Sequence, residues 1–398
     1  MSPSPSLWQP DLVLTLGIAA TAILGGTWLR DRVGWLRRAN IPGAAVGGLV
    51  VATIVLLLRR YIQIELDSTL RTPLQMAFFA SIGFQVTLSV LRAGGRAMVL
   101  FWVIACGTAV VQNIAGVVGA RALGVSPLIG LICGSVTLTG GPATGLAFTD
   151  MFQSMGVPAA GEAIIAAATF GIFMSSLIGN PAVTPLIRRL KLSRAEEPAK
   201  VESKPAGALD WSLRELLKSL VVLSLTMAVG SLIGAGLAAM RIRISVVIGP
   251  MLAAAVVRWI DDNWGVFKLN HSMLHALGTT SLAFFLAVAL GALKLWELSA
   301  LAAPMMILLV METVLTVAYC FGTTWFLMGR DYDAAVMTSG HIGFGLGITA
   351  NAVANMEELV ERYGPAPRAF LIVPAVGGFF IDFANSLIIS GAAVWLSR

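Results

Sequence analysis

Charged residues are scarce in this chain: Asp, Glu, Lys and Arg together make up 12% of its 398 residues. A soluble globular protein carries about twice that fraction, because its surface has to be covered with polar groups. Hydrophobic residues make up 57% of the sequence. The composition therefore excludes an ordinary soluble domain and predicts a protein that lies in a lipid bilayer.

Cysteine is also rare, and the basic residues form no patch. The three cysteines, Cys106, Cys133 and Cys320, lie far apart within apolar segments, and this spacing gives neither a metal motif nor a disulfide framework. We interpret them as packing residues.

The net charge of the chain is +6. No basic patch contains interleaved polar or aromatic side chains that could contact bases, which argues against nucleic-acid binding. Residues 1–10 lack a basic start, so we predict that the first apolar segment is retained rather than cleaved as a signal.

Apolar stretches of membrane-spanning length recur along almost the whole chain. A helix needs about 20 residues to cross a hydrocarbon core of ~30 Å. The sequence predicts an all-α membrane protein with ten spans, which lie near residues 11–29, 41–58, 74–91, 97–120, 162–187, 214–239, 244–260, 275–293, 300–328 and 368–396. Most Lys and Arg residues fall in the loops on one side of these spans, which predicts that both termini lie outside and the central segment is cytoplasmic.

Two further apolar segments, residues 126–150 and 332–356, are rich in Gly, Pro, Ser and Thr. Continuous helices facing lipid are not expected from such a composition. We predict that each segment forms a re-entrant hairpin.

A weak internal repeat divides the chain into two halves. Gly140 and Thr144 match Gly345 and Thr349 at a spacing of 205 residues. Further matches in the same order are Ala77-Phe78-Phe79 with Ala283-Phe284-Phe285, Gly47 with Gly249, and Asn180 with Asn385. The agreement in order and spacing favours duplication.

We predict a first repeat over residues 1–187, a cytoplasmic linker over 188–215 and a second repeat over 216–398. Each half has five spans, an odd number, so the second copy enters the membrane from the opposite face. Inverted repeats of this kind are typical of secondary transporters, and they allow the two hairpin tips to meet inside the membrane.

The two Gly-rich segments carry groups that suit ligand binding. Ser135, Thr137 and Thr139 place a hydroxyl at every second position before a glycine turn, and an unwound segment of this type exposes the hard oxygens that Na⁺ prefers. In the second segment a helix that restarts after Thr349 presents free amides to a substrate carboxylate. The alternative is that the glycines only allow close helix packing.

Carboxylates within spans are costly to bury and tend to face a cavity. Glu312 lies in the middle of a span, Asp382 shares a helical face with Asn385, and Glu162 begins the fifth span. Each carboxylate is a candidate to bind Na⁺ or carry a proton. The alternative for each is a hydrogen bond between helices, or an exposed helix end in the case of Glu162.

Three neutral polar groups complete the candidate site. Gln112 and Asn113 lie deep in the fourth span. The unperturbed pKa of histidine lies near neutrality, so His341 is a candidate proton carrier, or else a hydrogen-bonding residue that orients the second hairpin. The residues predicted to bind the substrate are Thr139, Gly140, Gly141, Thr144, Gly345, Gly347, Thr349, Asn351 and Asn385. Those predicted to bind Na⁺ are Gln112, Asn113, Ser135, Thr137, Glu312 and Asp382, with His341 and Glu162 as further candidates.

Several motifs resemble the bacterial sodium/glutamate symporter family, within a larger group of carriers with paired Gly-rich re-entrant loops. They are Met76-Ala77-Phe78-Phe79-Ala80, Arg92-Ala93-Gly94-Gly95-Arg96, Gln112-Asn113, Ala168-Thr169-Phe170-Gly171, the stretch Gly291 to Leu298, and Gly343-Phe344-Gly345-Leu346-Gly347. The resemblance covers essentially the whole chain. It implies uptake of L-glutamate with Na⁺ as the coupling ion, a homodimer in the bacterial inner membrane, and an elevator-like movement of the hairpin-bearing core.

One motif departs from the family. Where other members resemble Gly-Gly-His-Gly-Thr, this chain has Gly140-Gly141-Pro142-Ala143-Thr144. Pro142 removes one backbone amide and fixes φ, so the ligand geometry at this tip is expected to differ. Another acidic amino acid or a dicarboxylate as substrate, or coupling to H⁺, stays open as an alternative.

The sequence disfavours two functions outside transport. Tyr332-Asp333 with Asp382 loosely matches the two aspartates of intramembrane aspartyl proteases, but Asp382 lacks the adjacent glycine, so we predict that the chain is not an enzyme. A passive channel is disfavoured because the sequence shows no ring of like charges and no repeated filter motif.

Overall fold

Apolar segments satisfy their own backbone hydrogen bonds by forming helices, and helices dominate this chain. The computed structural model describes residues 6–34, 36, 41–85, 95–192, 212–239, 245–294 and 302–397. The strands are β1 (Ser6–Trp8) and β2 (Ile62–Ile64), which pair in parallel with Ser6 opposite Ile62. The helices of the first half are α1 (Leu12–Arg32), α2 (Gly43–Leu58), α3 (Arg71–Gln85), α4 (Gly95–Ala122), α5 (Pro127–Leu131), α6 (Gly141–Ala147), α7 (Thr149–Ser154) and α8 (Ala160–Arg189).

The second half continues the same architecture. Its helices are α9 (Leu213–Ala239), α10 (Ile248–Trp264), α11 (His271–Gly291), α12 (Ala302–Cys320), α13 (Tyr332–Leu346), α14 (Thr349–Tyr363), α15 (Pro367–Ala375) and α16 (Ile381–Leu396). Short π-helical turns extend α5 over Ile132–Val136 and α12 over Phe321–Trp325, and another joins α15 to α16 over Val376–Phe380.

Every one of the ten predicted spans contains a helix. Seven helical stretches in the described residues are long and apolar enough to cross a membrane, which shows a multi-pass membrane protein; they are Leu12–Arg32, Gly95–Ala122, Ala160–Arg189, Leu213–Leu237, His271–Gly291, Ala302–Trp325 and Pro367–Leu396. The other three helices, α2, α3 and α10, have 16, 15 and 17 residues. At a rise of about 1.5 Å per residue they are short for a hydrocarbon core of ~30 Å. The count of ten spans therefore stays a prediction.

Some sequence predictions fall on residues outside the described ranges. These are the end of the third predicted span, residues 86–91, most of the predicted linker, residues 193–211, and parts of two family motifs, Arg92-Ala93-Gly94 and residues 295–298. The boundaries proposed at 1–187, 188–215 and 216–398 stay predictions.

The long helices pack into two groups. The first bundle consists of α1, α2 and α3 together with α9, α10 and α11, and the hairpin bundle consists of α4 to α8 together with α12 to α16. Contacts within each bundle are much more extensive than contacts between them. Each half of the chain therefore contributes three helices to the first bundle and then the remainder to the hairpin bundle, in the same order.

Glycines allow two similar helix crossings in the first bundle. A side chain at Gly26 of α1 would collide with the backbone of Gly47 in α2, and a side chain at Gly230 of α9 would collide with the backbone of Gly249 in α10. Small residues of this kind let membrane helices approach closely. The predicted match between Gly47 and Gly249 thus corresponds to two crossings of the same type.

Residues 126–157 form the first broken segment. The backbone of Gly134 leaves the helical region at φ −92° and ψ −136°, and a helix resumes only at Gly141. Ser126 and Val157 line one cavity of about 520 Å³, so the segment returns to the side on which it began. This is the shape of a hairpin, and its entry into a membrane stays a prediction.

Residues 332–363 form the second broken segment, in which α13 and α14 run antiparallel. At its open end Tyr332 Oη donates a hydrogen bond to Gly364 O at 2.7 Å. Nearer the turn, a Cβ on Gly343 would lie 2.5 Å from Ala352 Cα, so glycine is required for the two arms to approach. The chain reverses at Gly347 and Ile348, between the two helices.

Candidate functional site

The turns of the two broken segments lie against each other. Gly141 has φ +64°, and a Cβ there would lie 2.9 Å from Ile348 Cγ2. Glycine suits this position for both reasons, since it tolerates positive φ and adds no side chain. The structure thus brings together the turn that contains Gly140 and Gly141 and the turn that contains Gly347.

Helix α14 begins at this meeting point. Its N-cap residue, Ile348, provides no side-chain cap. The Asn351 N–H donates to Ile348 O at 2.9 Å, so the amides that could bind an anion are those of Thr349 and Ala350. Thr349 Oγ1 and Asn351 Nδ2 are directed to other partners, because Thr349 donates to Gly377 O at 2.5 Å and Asn351 donates to Ser176 Oγ at 2.6 Å. The backbone, rather than these two side chains, presents the positive end of the helix.

Helix α8 supports both turns. A side chain at Gly171 would collide with Leu346 O of the second segment and would lie 2.7 Å from Leu138 Cδ2 of the first. One turn further along α8, Ser175 Oγ packs against Gly347. The motif that ends at Gly171 therefore lies where it holds the two turns together.

Gln112 is the residue that ties both segments to their flanking helices. Its Nε2 donates to Gly345 O at 2.8 Å and to Thr316 Oγ1 at 2.9 Å, and its Oε1 accepts from Thr139 Oγ1 at 2.7 Å. The residue is 1% exposed. Since the amide is fully engaged with protein groups, Gln112 acts in this structure as a connector between the segments.

The break in the first segment is held by two asparagines. Asn113 Oδ1 of α4 accepts from Ser135 N at 3.1 Å, and Asn385 Nδ2 of α16 donates to Ser135 O at 2.8 Å. Thr137 Oγ1 donates to Ile132 O at 2.6 Å, so its hydroxyl serves the local turn. The Ser135 backbone is thereby fixed from both sides.

Several polar atoms near this break have no hydrogen-bond partner within the part of the chain that the structure describes. They are Ser135 Oγ, Asn385 Oδ1, Asn113 Nδ2 and both carboxylate oxygens of Glu312. Ser135, Asn385 and Glu312 are each 0% exposed. Burial of such groups without partners is unfavourable, so these atoms are the strongest candidates for contact with a ligand.

Glu312 reaches the first segment from α12. A Cβ on Gly116 of α4 would lie 3.2 Å from Glu312 Oε1, and Gly116 in turn packs directly against Gly130 of the first segment. Gly116 lies three residues after Asn113, on the same face of α4. Glu312 therefore lies about one helical turn from the asparagine that holds Ser135.

His341 has partners on both ring nitrogens. Its Nε2 lies 2.9 Å from Thr108 Oγ1 and its Nδ1 lies 2.6 Å from Thr324 Oγ1, and its ring stacks on Phe344 with centroids 4.9 Å apart. The residue is 0% exposed. This is the arrangement expected of the orienting role, with His341 connecting α13 to α4 and to the turn that follows α12.

The remaining candidates are Glu162, Asp382 and Thr144. Glu162 is 7% exposed and its Oε1 accepts the backbone N–H of Lys294 at 2.7 Å, so it links α8 to the end of α11 rather than lying at an exposed helix end. Asp382 is half-buried on α16, one turn before Asn385. Thr144 is buried and packs on Gly140. Thr144 thus contacts the first of the two meeting turns, whereas the contact of Glu162 with Lys294 lies away from both turns.

A cavity of about 320 Å³ lies between the two bundles, beside Pro142. Its walls come from α2 and from the hairpin bundle, including Ile165 and Ile172, and among the described residues the side-chain hydroxyls that line it are those of Thr53 and Thr169. Such an apolar lining does not suit an acidic ligand. The cavity marks a loosely packed boundary between the bundles.

Sequence motifs did not indicate a second polar cluster in the hairpin bundle. Asn180 of α8 accepts from Ser339 Oγ at 2.8 Å and donates to Glu358 Oε2 at 2.7 Å. The sequence relates Asn180 only to Asn385, as its repeat partner. Its partners in α13 and α14 carry no motif of their own, and only the fold brings them together.

Comparisons with known proteins agree with the sequence motifs. The family model for the sodium/glutamate symporter matches residues 9–365. The sodium/glutamate symporter of Escherichia coli (strain K12) is 38% identical over 391 residues, which cover 96% of this chain and 97% of that protein. The one from Haemophilus influenzae is 35% identical over 384 residues, covering 94% and 95%.

A solved structure of a sodium proton antiporter from Methanocaldococcus jannaschii covers 97% of this chain and 98% of its own, with 16% identity and a TM-score of 0.46. That similarity is too low to support an argument. The family match and the two relatives extend over nearly the full length, and the chain belongs to the sodium/glutamate symporter family.

Proposed function

We propose that this protein takes up L-glutamate across the bacterial inner membrane by symport with Na⁺. Relatives named for this activity are 35–38% identical over nearly the whole chain. The observation that carries the proposal is the meeting of two broken helical segments at Gly141 and Ile348. Paired interrupted segments of this kind are the usual site of substrate and ion binding in secondary transporters.

The substrate carboxylate is assigned to the start of α14. The helix has 15 residues and no side-chain cap at Ile348, so its dipole and free amides favour a negative group at this end. Gly345 and Gly347 precede it without side chains that would block the approach. The sequence prediction that a helix restarts at Thr349 is the basis of this assignment, and the position of α14 supports it.

Transport is proposed to follow an elevator-like movement of the hairpin bundle against the first bundle. The limited contact between the bundles supports such a movement, as does the apolar cavity at their boundary. Internal duplication is supported by two pairs of similar contacts: Gly26 with Gly47 and Gly230 with Gly249. Two inverted copies provide the two conformations that alternating access requires.

A different acidic substrate is the second candidate, and Pro142 favours it. Pro142 lies in the first turn of α6, where proline costs no helical hydrogen bond but removes an amide that a ligand would otherwise use. The first tip therefore offers one donor fewer than the usual family pattern. For coupling to H⁺, His341 is a poor proton carrier, because it has protein partners on both nitrogens.

The proposal is tested in proteoliposomes that contain the purified protein. We expect labelled L-glutamate to accumulate when an inward Na⁺ gradient is imposed, and not when K⁺ replaces Na⁺. Uptake that is equal in Na⁺ and K⁺ would overturn the coupling. Competition by unlabelled aspartate and dicarboxylates, measured in the same assay, separates L-glutamate from the second candidate.

Topology and assembly complete the proposal. The loop charges support external termini and a cytoplasmic central segment, and cysteine labelling of residue 2 and of residue 200 from each side of the membrane tests this orientation. The homodimer that the family resemblance implies is tested by the mass of the detergent-solubilised protein.

A further inference from the structure

Two clusters in the hairpin bundle are related by the internal repeat. In each, an asparagine of the last helix of one half contacts the broken segment of the other half: Asn180 contacts Ser339, and Asn385 contacts Ser135. Asn180 and Asn385 are 205 residues apart, and Ser135 and Ser339 are 204 apart. We call Ser135 and Asn385 the first node, and Ser339 and Asn180 the second node.

The second node is complete without a ligand. Ser339 Oγ donates to Asn180 Oδ1 at 2.8 Å, and Asn180 Nδ2 donates to Glu358 Oε2 at 2.7 Å. Both ends of the asparagine amide and the serine hydroxyl therefore have protein partners. Glu358 supplies the charged acceptor.

The first node contains the same residue types but lacks these contacts. The hydrogen bond from Asn385 Nδ2 to Ser135 O fixes which end of the amide is the donor, so the open atom of Asn385 is its oxygen. Ser135 Oγ is also open, and neither atom has a hydrogen-bond partner in the described part of the chain. At 0% exposure, these two oxygens are aimed into the protein interior and not at water.

The carboxyl group of Glu312 lies close to the first node. Both oxygens of Glu312 are open within the described residues, and the side chain is 0% exposed. Its Oε1 faces Gly116, one helical turn from Asn113, which holds the Ser135 amide. A buried carboxylate without a partner is strongly unfavourable unless a cation or a proton compensates it.

We propose that Ser135 Oγ, Asn385 Oδ1 and the Glu312 carboxylate bind the coupling cation, and that the second node is a closed copy in which Ser339 Oγ and Asn180 Oδ1 hydrogen-bond to each other instead of binding a cation. All three groups are hard oxygens, the ligand type that Na⁺ prefers. The inference rests on the proposed Na⁺ symport and assigns its ion site. It moves Asn385 from the substrate to the ion, and it excludes Gln112 and Thr137, whose side chains are used within the protein.

Ser135→Ala is the decisive variant because Ser135 Oγ makes no hydrogen bond to a described residue. The substitution therefore removes a proposed ligand without removing a protein contact. Its matched control is Ser339→Ala, which removes the bond to Asn180 but no proposed ligand. The measurement is the thermal unfolding of the purified full chain in detergent, titrated with NaCl at constant ionic strength against choline chloride, without substrate.

We expect Na⁺ to stabilise the wild-type protein, since a ligand that binds the folded state raises its stability by mass action. In Ser135→Ala the Na⁺ concentration for half-maximal stabilisation rises about 10-fold or more, as the loss of groups around a metal site usually gives, while the transition in choline stays at the wild-type temperature. In Ser339→Ala the transition in choline is lowered and the Na⁺ response is unchanged. Glu312→Gln is expected to weaken the Na⁺ response in the same way as Ser135→Ala.

A wild-type Na⁺ response in both Ser135→Ala and Glu312→Gln would overturn the ion site, and a weakened response in Ser339→Ala alone would place the ion at the second node instead. If Na⁺ drives wild-type uptake but either of these two results is obtained with the variants, only the assignment of the ion site fails. If Na⁺ affects neither uptake nor unfolding of the wild type, the symport proposal fails together with the site.

Discussion

Gln112 of α4 donates a hydrogen bond to Thr316 of α12, with Nε2 and Oγ1 2.9 Å apart. The two residues are 204 positions apart, close to the spacing of the internal repeat. On one side of this contact Gly107 packs against Tyr319, and on the other Gly119 packs against Leu308, so the two helices cross antiparallel. A pseudo-twofold axis in the membrane plane produces such a crossing between equivalent helices, and the contact thus supports the proposed inverted repeat.

The first prediction concerns Gln112 as a connector. Gln112→Leu leaves Gly345 O, Thr316 and Thr139 without their shared partner. A buried polar group that loses its partner costs about 1–3 kcal/mol, so we expect a clearly lower unfolding temperature and loss of uptake. Thermal unfolding in detergent and uptake in proteoliposomes measure the two effects.

The control for this prediction is Gln153→Leu. Gln153 is exposed, and its side chain makes a single 3.3 Å hydrogen bond to Pro158 O. We expect little change in either measurement. Equal behaviour of the two variants would contradict the role given to Gln112.

The second prediction separates the two roles considered for His341. His341→Gln keeps a donor and an acceptor between Thr108 and Thr324, whereas His341→Leu keeps neither. If His341 orients α13, uptake is partly retained in His341→Gln, with the same pH profile as the wild type, and is lost in His341→Leu. Uptake measured from pH 5.5 to 8.5 provides the test, and a flattened pH profile in His341→Gln would instead identify a proton carrier.

How far the sequence predicted this molecule depends on the scale of the feature. Membrane residence, the helix positions and the interruptions at Gly134 and Gly347 follow from local composition, because backbone groups in lipid must be satisfied within the segment unless Gly or Pro intervenes. The family was identified from short motifs, and the full-length match confirms it. Membrane residence, helix positions, interruptions and family motifs are each determined by residues that lie close together in the sequence.

Local sequence patterns do not predict which polar side chains form hydrogen bonds with each other. Gln112 was predicted as an ion ligand, yet its partners Gly345 and Thr316 lie more than 200 residues away, and only the packing of α4 against α12 and α13 shows that its amide is occupied. The cluster of Asn180, Ser339 and Glu358 was missed for the same reason. Residue type indicates that a polar group needs a partner, but not which partner it has.

The third prediction concerns stability outside the spans, at Asp261, just after the predicted seventh span. Its carboxylate accepts the backbone N–H groups of Phe267, Lys268 and Leu269 at 2.7, 2.7 and 2.9 Å. Burial tends to raise the pKa of Asp261, but these hydrogen bonds outweigh it and hold the pKa below 3.8. The stabilisation is thus complete above about pH 4 and is lost as the pH falls through the lowered pKa.

Asp261→Asn keeps one acceptor oxygen but loses the charge. We expect a loss of about 1–2 kcal/mol at pH 7, a correspondingly lower unfolding temperature, and little effect on the affinity for substrate. Unfolding temperatures measured between pH 3 and pH 7 should show a smaller difference between variant and wild type at the acidic end. A difference that stays constant over this range would contradict the account.

The last prediction tests whether the contact between the two turns is required for transport. Gly141 has φ +64° and its missing Cβ would lie 2.9 Å from Ile348 Cγ2, whereas Gly124 has φ +71° and no atom within 4 Å of the same position. Alanine at either site imposes similar backbone strain, of about 1–3 kcal/mol. Only at Gly141 does it also push the two turns apart.

We therefore expect both Gly141→Ala and Gly124→Ala to lower the unfolding temperature, Gly141→Ala by more because of the contact with Ile348, and only Gly141→Ala to lose uptake. The comparison removes strain as an explanation, because strain is common to both variants and the contact with Ile348 is not. Full uptake by Gly141→Ala would mean that substrate binding does not depend on the meeting of the two turns, and the site would then have to lie elsewhere in the hairpin bundle.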